Sequence, residues 1–225
     1  MIPREITAQG LWGNNPVLVQ MLGLCPLLAV SNTLVTGFSL GIITLLILTA
    51  SNTVVSLIRG FLDDSTRLPA QIMVIAAFVT CADILLQAWL FELHVRISLF
   101  VALIVTNCTL LGRAEVFASR QPVSLAALDG FMMGAGFLWV ITLLAGIREL
   151  LGQGTLLSNA HLLFGESAQH WEIQIMDGGL LLMILPPGAF ITLGFIIAGK
   201  NWIEIRRGET STAIERARIN LRQLD

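Results

Sequence analysis

Long apolar runs joined by short polar segments make up most of the chain. A membrane-crossing helix needs about 20 residues, with a range of roughly 17–25. Stretches 36–58, 69–91 and 175–199 meet that length. So does 125–147, once Gly130, Gly134, Gly136 and Gly146 are read as the glycines common in membrane helices. Two further stretches are short. Residues 16–30 are interrupted at Gly23-Leu24-Cys25-Pro26, where a proline that lacks N–H and crowds the preceding turn predicts a break or kink near the cysteine. Residues 97–112 run through Asn107-Cys108-Thr109 and end on Leu110-Leu111-Gly112-Arg113.

Counted together these are six elements, and they pair across the chain. Cys25 in the first matches Cys108 in the fourth. Gly37-Phe38-Ser39-Leu40-Gly41 opens the second and Gly130-Phe131-Met132-Met133-Gly134 opens the fifth. Arg59 ends the second as Arg148 ends the fifth. Three spans per half is an odd number, so the second half enters the bilayer upside down. Interrupted elements at corresponding positions of such repeats point to a site near the membrane midplane. The predicted fold is an all-α polytopic membrane protein of six transmembrane helices in two inverted three-helix repeats, with broken or half-length helices 1 and 4. The first repeat covers 11–93 and the second 96–200, with a cytoplasmic tail over 201–225.

Composition agrees. Hydrophobic residues make up 55% of the chain and charged residues 12%, with a mean hydropathy of +0.81, whereas a soluble domain carries about 25% charged residues. The first residues lack the pattern of a cleaved secretory signal, so the first helix is expected to serve as its own insertion signal. With six spans, one face would carry Arg4, Arg59, Arg67, Arg113, Arg120, Lys200, Arg206, Arg207, Arg216, Arg218 and Arg222, and the other only Arg96 and Arg148. The positive-inside rule then places both termini in the cytoplasm. Loop 149–174 is the one long segment on the far side, with a short surface helix expected around 158–165. The stretch 203–223 reads as a polar helix; Glu204, Glu209 and Glu215 interleave with its bases, which argues against nucleic-acid binding.

The candidate chemistry lies in the cysteines. Cys25, Cys81 and Cys108 form no CxxC pair, which excludes a complete disulfide framework and any four-thiolate metal site built from this chain alone. Cys25 and Cys108 could pack as small hydrophobes. As ligands, each supplies one soft thiolate suited to zinc, copper or iron–sulfur, and the remaining ligands would come from a partner subunit. A [2Fe–2S] cluster, which takes four cysteines, is one such centre. Cys81 reads as packing. Asn14, Asn15 and Asn107 either cap half-helices or, near the cysteines, donate toward sulfur. Ser51, Asn52, Thr53 and Ser56 offer interhelical hydrogen bonds. Asp83, a carboxylate inside a span with no base within a turn or two, is either an ion relay or a neutral, hydrogen-bonded or inter-subunit contact. The two GxxxG runs predict close helix packing. Pro186-Pro187-Gly188 predicts a kink in the last span. Arg59 and Arg148 read as headgroup anchors, and His94, His161 and His170 as loop residues too scattered to form a ligand set.

The cysteine motifs also carry a family resemblance. Asn14-Asn15-Pro16, Gly23-Leu24-Cys25-Pro26-Leu27-Leu28-Ala29-Val30, Val105-Thr106-Asn107-Cys108, Gly112-Arg113-Ala114-Glu115, Ala127-Leu128-Asp129-Gly130-Phe131 and Leu185-Pro186-Pro187-Gly188-Ala189-Phe190 resemble the E-subunit family of the bacterial Rnf ion-translocating electron transport complex. The resemblance spans about residues 11–205 and extends to the NqrD-type subunits of the sodium-pumping NADH:quinone oxidoreductase. Pro26, where those subunits usually carry a small polar residue, favours the Rnf side. The resemblance implies a six-helix inverted-repeat subunit of the inner membrane, paired with a homologous A-type Rnf subunit. It further implies that Cys25 and Cys108 give two ligands to a membrane-embedded [2Fe–2S] cluster, the partner giving the other two. The complex implied passes electrons between ferredoxin and NAD, coupled to Na+ or H+ movement, with flavins and further iron–sulfur clusters in its other subunits (B, C, D and G). The chain would then be one subunit of a translocase without catalysis of its own. Asp83 matches no motif of the family. Two other readings stay open: a stand-alone inverted-repeat secondary transporter, and a structural membrane scaffold whose cysteines merely pack.

Overall fold

A computed structural model describes residue 7 and residues 9–61, 66–156, 173–174, 179 and 181–207. His161, His170, the helix expected around 158–165 and the tail beyond Arg207 lie outside the described residues. Among the described residues, four helices are long and apolar enough to cross a membrane. These are α2 (Leu34–Ile58), α3 (Arg67–Trp89), α6 (Val123–Gly152) and α8 (Pro186–Arg207). The chain is thus all-α and polytopic, with one two-residue antiparallel pairing of β1 (Thr155–Leu156) with β2 (Ile173–Gln174).

The two short stretches fold as interrupted helices. The first begins with a wide π-type turn at Gln9–Gly13, passes through an irregular stretch, and resumes as α1 (Leu24–Val30). The second consists of α4 (Phe91–Ala102), a break over 103–107, and α5 (Cys108–Arg113), which continues into a π-type turn at Ala114–Ala118. Only Leu90 separates α3 from α4, so α4 folds straight back onto α3. His94 therefore sits on a helix and not in a loop. The last span is also divided: α7 (Leu181–Ile184) stops at Leu185, and α8 starts at Pro186, where the missing N–H of a first-turn proline costs nothing.

The most extensive helix contact joins α2 and α6, which carry the two GxxxG runs. A Cβ on Gly134 would stand 2.8 Å from Leu45 Cα, one on Gly130 would stand 2.9 Å from Thr49 Cα, and one on Gly37 would stand 2.9 Å from Ala145 Cβ. Glycine at these positions lets the backbones touch, the source of van der Waals attraction between helices that hydrocarbon cannot squeeze together. Each helix also anchors the start of the other. Glu149 near the end of α6 accepts from Leu34 N–H at 2.6 Å, where the exposed N–H groups of a helix start favour a negative charge. Ser56 near the end of α2 donates to the Gln121 carbonyl at 2.7 Å, just before α6 begins.

Ser51 and Thr53 of the same polar run bond within α2, to the Leu48 and Thr49 carbonyls, so the run supplies less interhelical bonding than its composition suggests. Asn52 is wholly buried with neither amide atom hydrogen-bonded.

Candidate functional site

Both cysteines stand at the start of a helix that follows a break. The first break comes before Cys25 and not at Pro26. Met21 and Gly23 take positive φ angles of 53° and 72°, a region that glycine occupies without penalty. The chain then turns into α1, placing Pro26 in the first turn, where it interrupts no hydrogen bond. Asn15 braces the approach: its Oδ1 accepts from Val17 and Leu18 N–H at 3.0 and 3.1 Å, and its Nδ2 donates to the Gly136 carbonyl of α6 at 3.0 Å. Asn107 caps the second helix, its Oδ1 accepting from Thr109 N–H at 2.9 Å.

The two breaks meet. A Cβ on Gly23 would lie 2.8 Å from Thr109 Oγ1 and 3.0 Å from Asn107 Oδ1, so the backbone just before Cys25 presses on the two residues flanking Cys108. Pro26 and Leu27 beside Cys25 are buried, as are Asn107 and Thr109 beside Cys108, but both thiols are exposed. Neither cysteine packs into the core of this chain. Cys81 is exposed as well, on α3, contrary to the packing role expected for it.

The residues present suit a sulfur-rich group held between two chains. Among the described residues no cluster of three or more His, Cys, Asp or Glu could hold a metal, so two thiolates are what this chain offers here. The capping bond leaves Asn107 Nδ2 without a hydrogen-bond partner, and Thr109 Oγ1 also has none, although both atoms are buried. Orphaned donors in an apolar setting are costly unless something accepts from them, and bridging sulfide or thiolate would.

Several polar residues lie elsewhere than the sequence suggested. Arg148 is no headgroup anchor: it is 2% exposed and hydrogen-bonded to backbone carbonyls of two other segments. Arg113, counted among the charges of the positive face, sits at the end of α5 and pairs through Nε and Nη2 with both carboxylate oxygens of buried Asp129. Asp83 has a base after all, His94 Nε2 at 3.0 Å, because α4 folds back beside α3. Sequence reading missed Asp129 and Glu149 as buried acids. Glu149 lies beyond the apolar stretch 125–147 used to place α6, which runs to Gly152, whereas Asp129 lies inside that stretch and is answered by Arg113 from another element.

Comparison with known proteins gives a consistent picture. Residues 4–197 match the family described as "Rnf-Nqr subunit, membrane protein". The chain is 55% identical over 203 residues to a Pseudomonas aeruginosa (strain UCBPP-PA14) protein named as the E subunit of the ion-translocating oxidoreductase complex, covering 89% of this chain and 85% of that one. Proteins of the same name from Shewanella loihica and Vibrio cholerae are 51% and 47% identical, each match covering 96% of this chain and 97% of the relative.

Proposed function

The chain belongs to the Rnf-Nqr family of membrane subunits, and from that premise we propose that it supplies Cys25 and Cys108 as half the ligands of a [2Fe–2S] cluster shared with a homologous A-type subunit. It is one subunit of an ion-translocating oxidoreductase and, on this reading, performs no bond chemistry alone. The observation that carries the proposal is the meeting of the two breaks. Gly23 abuts Asn107 and Thr109, while Cys25 and Cys108 remain exposed on the surface of this chain.

Bound there, the cluster would supply one-electron transfer midway through the membrane; the protein supplies burial, geometry and hydrogen bonds. Cys25 and Cys108 would hold it from two half-helices, Asn107 Nδ2 and Thr109 Oγ1 would donate toward its sulfur, and the Asn107 cap would keep the second half-helix in place. The electrons pass between ferredoxin and NAD through flavin and iron–sulfur subunits of the same complex (B, C, D and G), coupled to Na+ or H+ movement. The chain lies in the bacterial inner membrane with both termini cytoplasmic. Its elements form inverted repeats over 11–93 and 96–200, a reading supported by the matched breaks at Cys25 and Cys108 and the reciprocal anchoring of α2 and α6.

The test is the iron content and EPR spectrum of the purified membrane pair, with Cys25→Ser and Cys108→Ser made singly. Each substitution should abolish the cluster signal while both proteins still assemble. A full signal in either variant would remove that thiol from the ligand set. Unchanged iron in both would leave the scaffold reading standing.

A further inference from the structure

Arg148 lies near the end of α6, deep in the protein, and all its donor groups have partners. Nε donates to the Met183 carbonyl at 3.1 Å. Nη1 donates to the Leu28 carbonyl at 3.3 Å and to Ser31 Oγ at 2.7 Å. Nη2 donates to the carbonyls of Ile184 at 2.8 Å and Leu185 at 3.4 Å.

The sequence explains why these acceptors are free. In a continuous helix the Met183 carbonyl would accept from the N–H of residue 187, which is proline and has none. Ile184 would accept from Gly188 N–H, but that group bonds to Leu185 at 3.0 Å. Pro186-Pro187 therefore strands carbonyls at the start of an apolar helix long enough to cross a membrane, where backbone polar groups need an internal partner, and Arg148 serves them. The same guanidinium reaches the end of α1, where Leu28 stands three residues after Cys25 and so on its face of the helix. Cys25 and Arg148 also line one cavity of about 500 Å³, with Asn32, Ile184, Pro186 and Phe190.

We propose that Arg148 is a positioning residue for Cys25: it ties the half-helix that presents this thiol to the broken last span, and sets a fixed positive charge beside it. The inference rests on the reading of Cys25 as a cluster ligand. Lysine is a poor substitute, because a point charge with three donors cannot serve four carbonyls and a hydroxyl in a planar fork.

The test uses Arg148→Gln, Arg148→Lys and the double variant Arg148→Gln/Pro187→Ala. One readout is the rate at which a membrane-permeant maleimide labels Cys25 as the sole thiol of the chain (Cys81→Ser, Cys108→Ser), a background that needs no cluster. The other is the EPR midpoint potential of the assembled complex with all three cysteines. Arg148→Lys, which keeps the charge but loosens the tie, should speed labelling severalfold, and Arg148→Gln should move the potential to more negative values. Adding Pro187→Ala returns an N–H to the Met183 carbonyl. It leaves Leu28 and Ser31 untied and the charge missing, so labelling should stay as in Arg148→Gln and the potential should stay shifted.

Parental labelling and an unmoved potential in Arg148→Gln would overturn the inference. So would a full return to the parental labelling rate on adding Pro187→Ala, which would confine the effect to the last span and leave no role for the bonds to Leu28 and Ser31. If Arg148→Gln fails to accumulate, the Arg148→Lys labelling rate decides alone, and a parental rate there overturns it. Failure of the cluster reading is separately visible as iron retained in Cys25→Ser, in which case labelling by itself decides what Arg148 does.

Discussion

Gly23→Ala puts the smallest possible side chain where the two breaks touch. Gly23 has a φ of 72°, and an L-residue in that left-handed region costs roughly 1–2 kcal/mol. The new methyl would also stand 2.8 Å from Thr109 Oγ1, 3.0 Å from Asn107 Oδ1 and 3.2 Å from Phe137 Cε2. Asn107 Oδ1 cannot retreat without loosening its 2.9 Å bond to Thr109 N–H, and loss of such a cap costs about 1 kcal/mol. The sum, roughly 2–3 kcal/mol, falls on the backbone that sets Cys25 against Cys108. Iron per complex should drop well below the parent, and the melting temperature of the solubilised membrane pair should fall by several degrees. Gly194→Ala is the control: nothing lies within 4 Å of a Cβ there, so iron and melting should hold. If Gly23→Ala keeps parental iron and melting, the contact between the breaks does not organise the site.

Other substitutions test the frame around it. Gly134→Leu should separate α2 from α6, since even a Cβ meets Leu45 Cα at 2.8 Å; overpacking of this kind costs about 1–3 kcal/mol, read as reduced accumulation of the chain in membranes. Arg113→Gln strands the buried Asp129 carboxylate and should cost about 3–5 kcal/mol, whereas Arg113→Gln/Asp129→Leu, with no stranded charge, should recover much of it in a thermal-unfolding comparison. Asp83→Asn should leave iron content and the EPR spectrum unchanged, because Asp83 lies on α3 and its partner His94 near the start of α4, well before the break over 103–107; a lost cluster signal would contradict that separation.

The apolar runs made the four long helices legible in the sequence, and the paired cysteines marked the two interrupted elements. GxxxG spacing marked α2 and α6 as closely packed helices, because close approach depends only on which residues lack a Cβ, but not that they pack on each other. Sequence failed where partners lie far apart along the chain. Arg148 reads as a helix-end anchor until the carbonyls freed by Pro186 and Pro187 come to lie beside it. Asp83 has no base near it along the chain, and gains one when α4 doubles back at Leu90 to bring up His94. The break expected near Cys25 is there, but Met21 and Gly23 make it and not Pro26, because a proline in a first turn breaks nothing. Asn107 was legible as a cap from its position, but its orphaned donor, Nδ2, was not.

The most direct measurement is a cryo-EM map of the assembled membrane pair at a resolution that shows the thiols. Compact two-iron density is expected, joining Cys25 and Cys108 of this chain to two thiols of the homologous neighbour, with Asn107 Nδ2 and Thr109 Oγ1 turned toward its sulfur. Cysteines facing lipid, or the neighbour's apolar side chains, with no density between them would contradict the shared cluster.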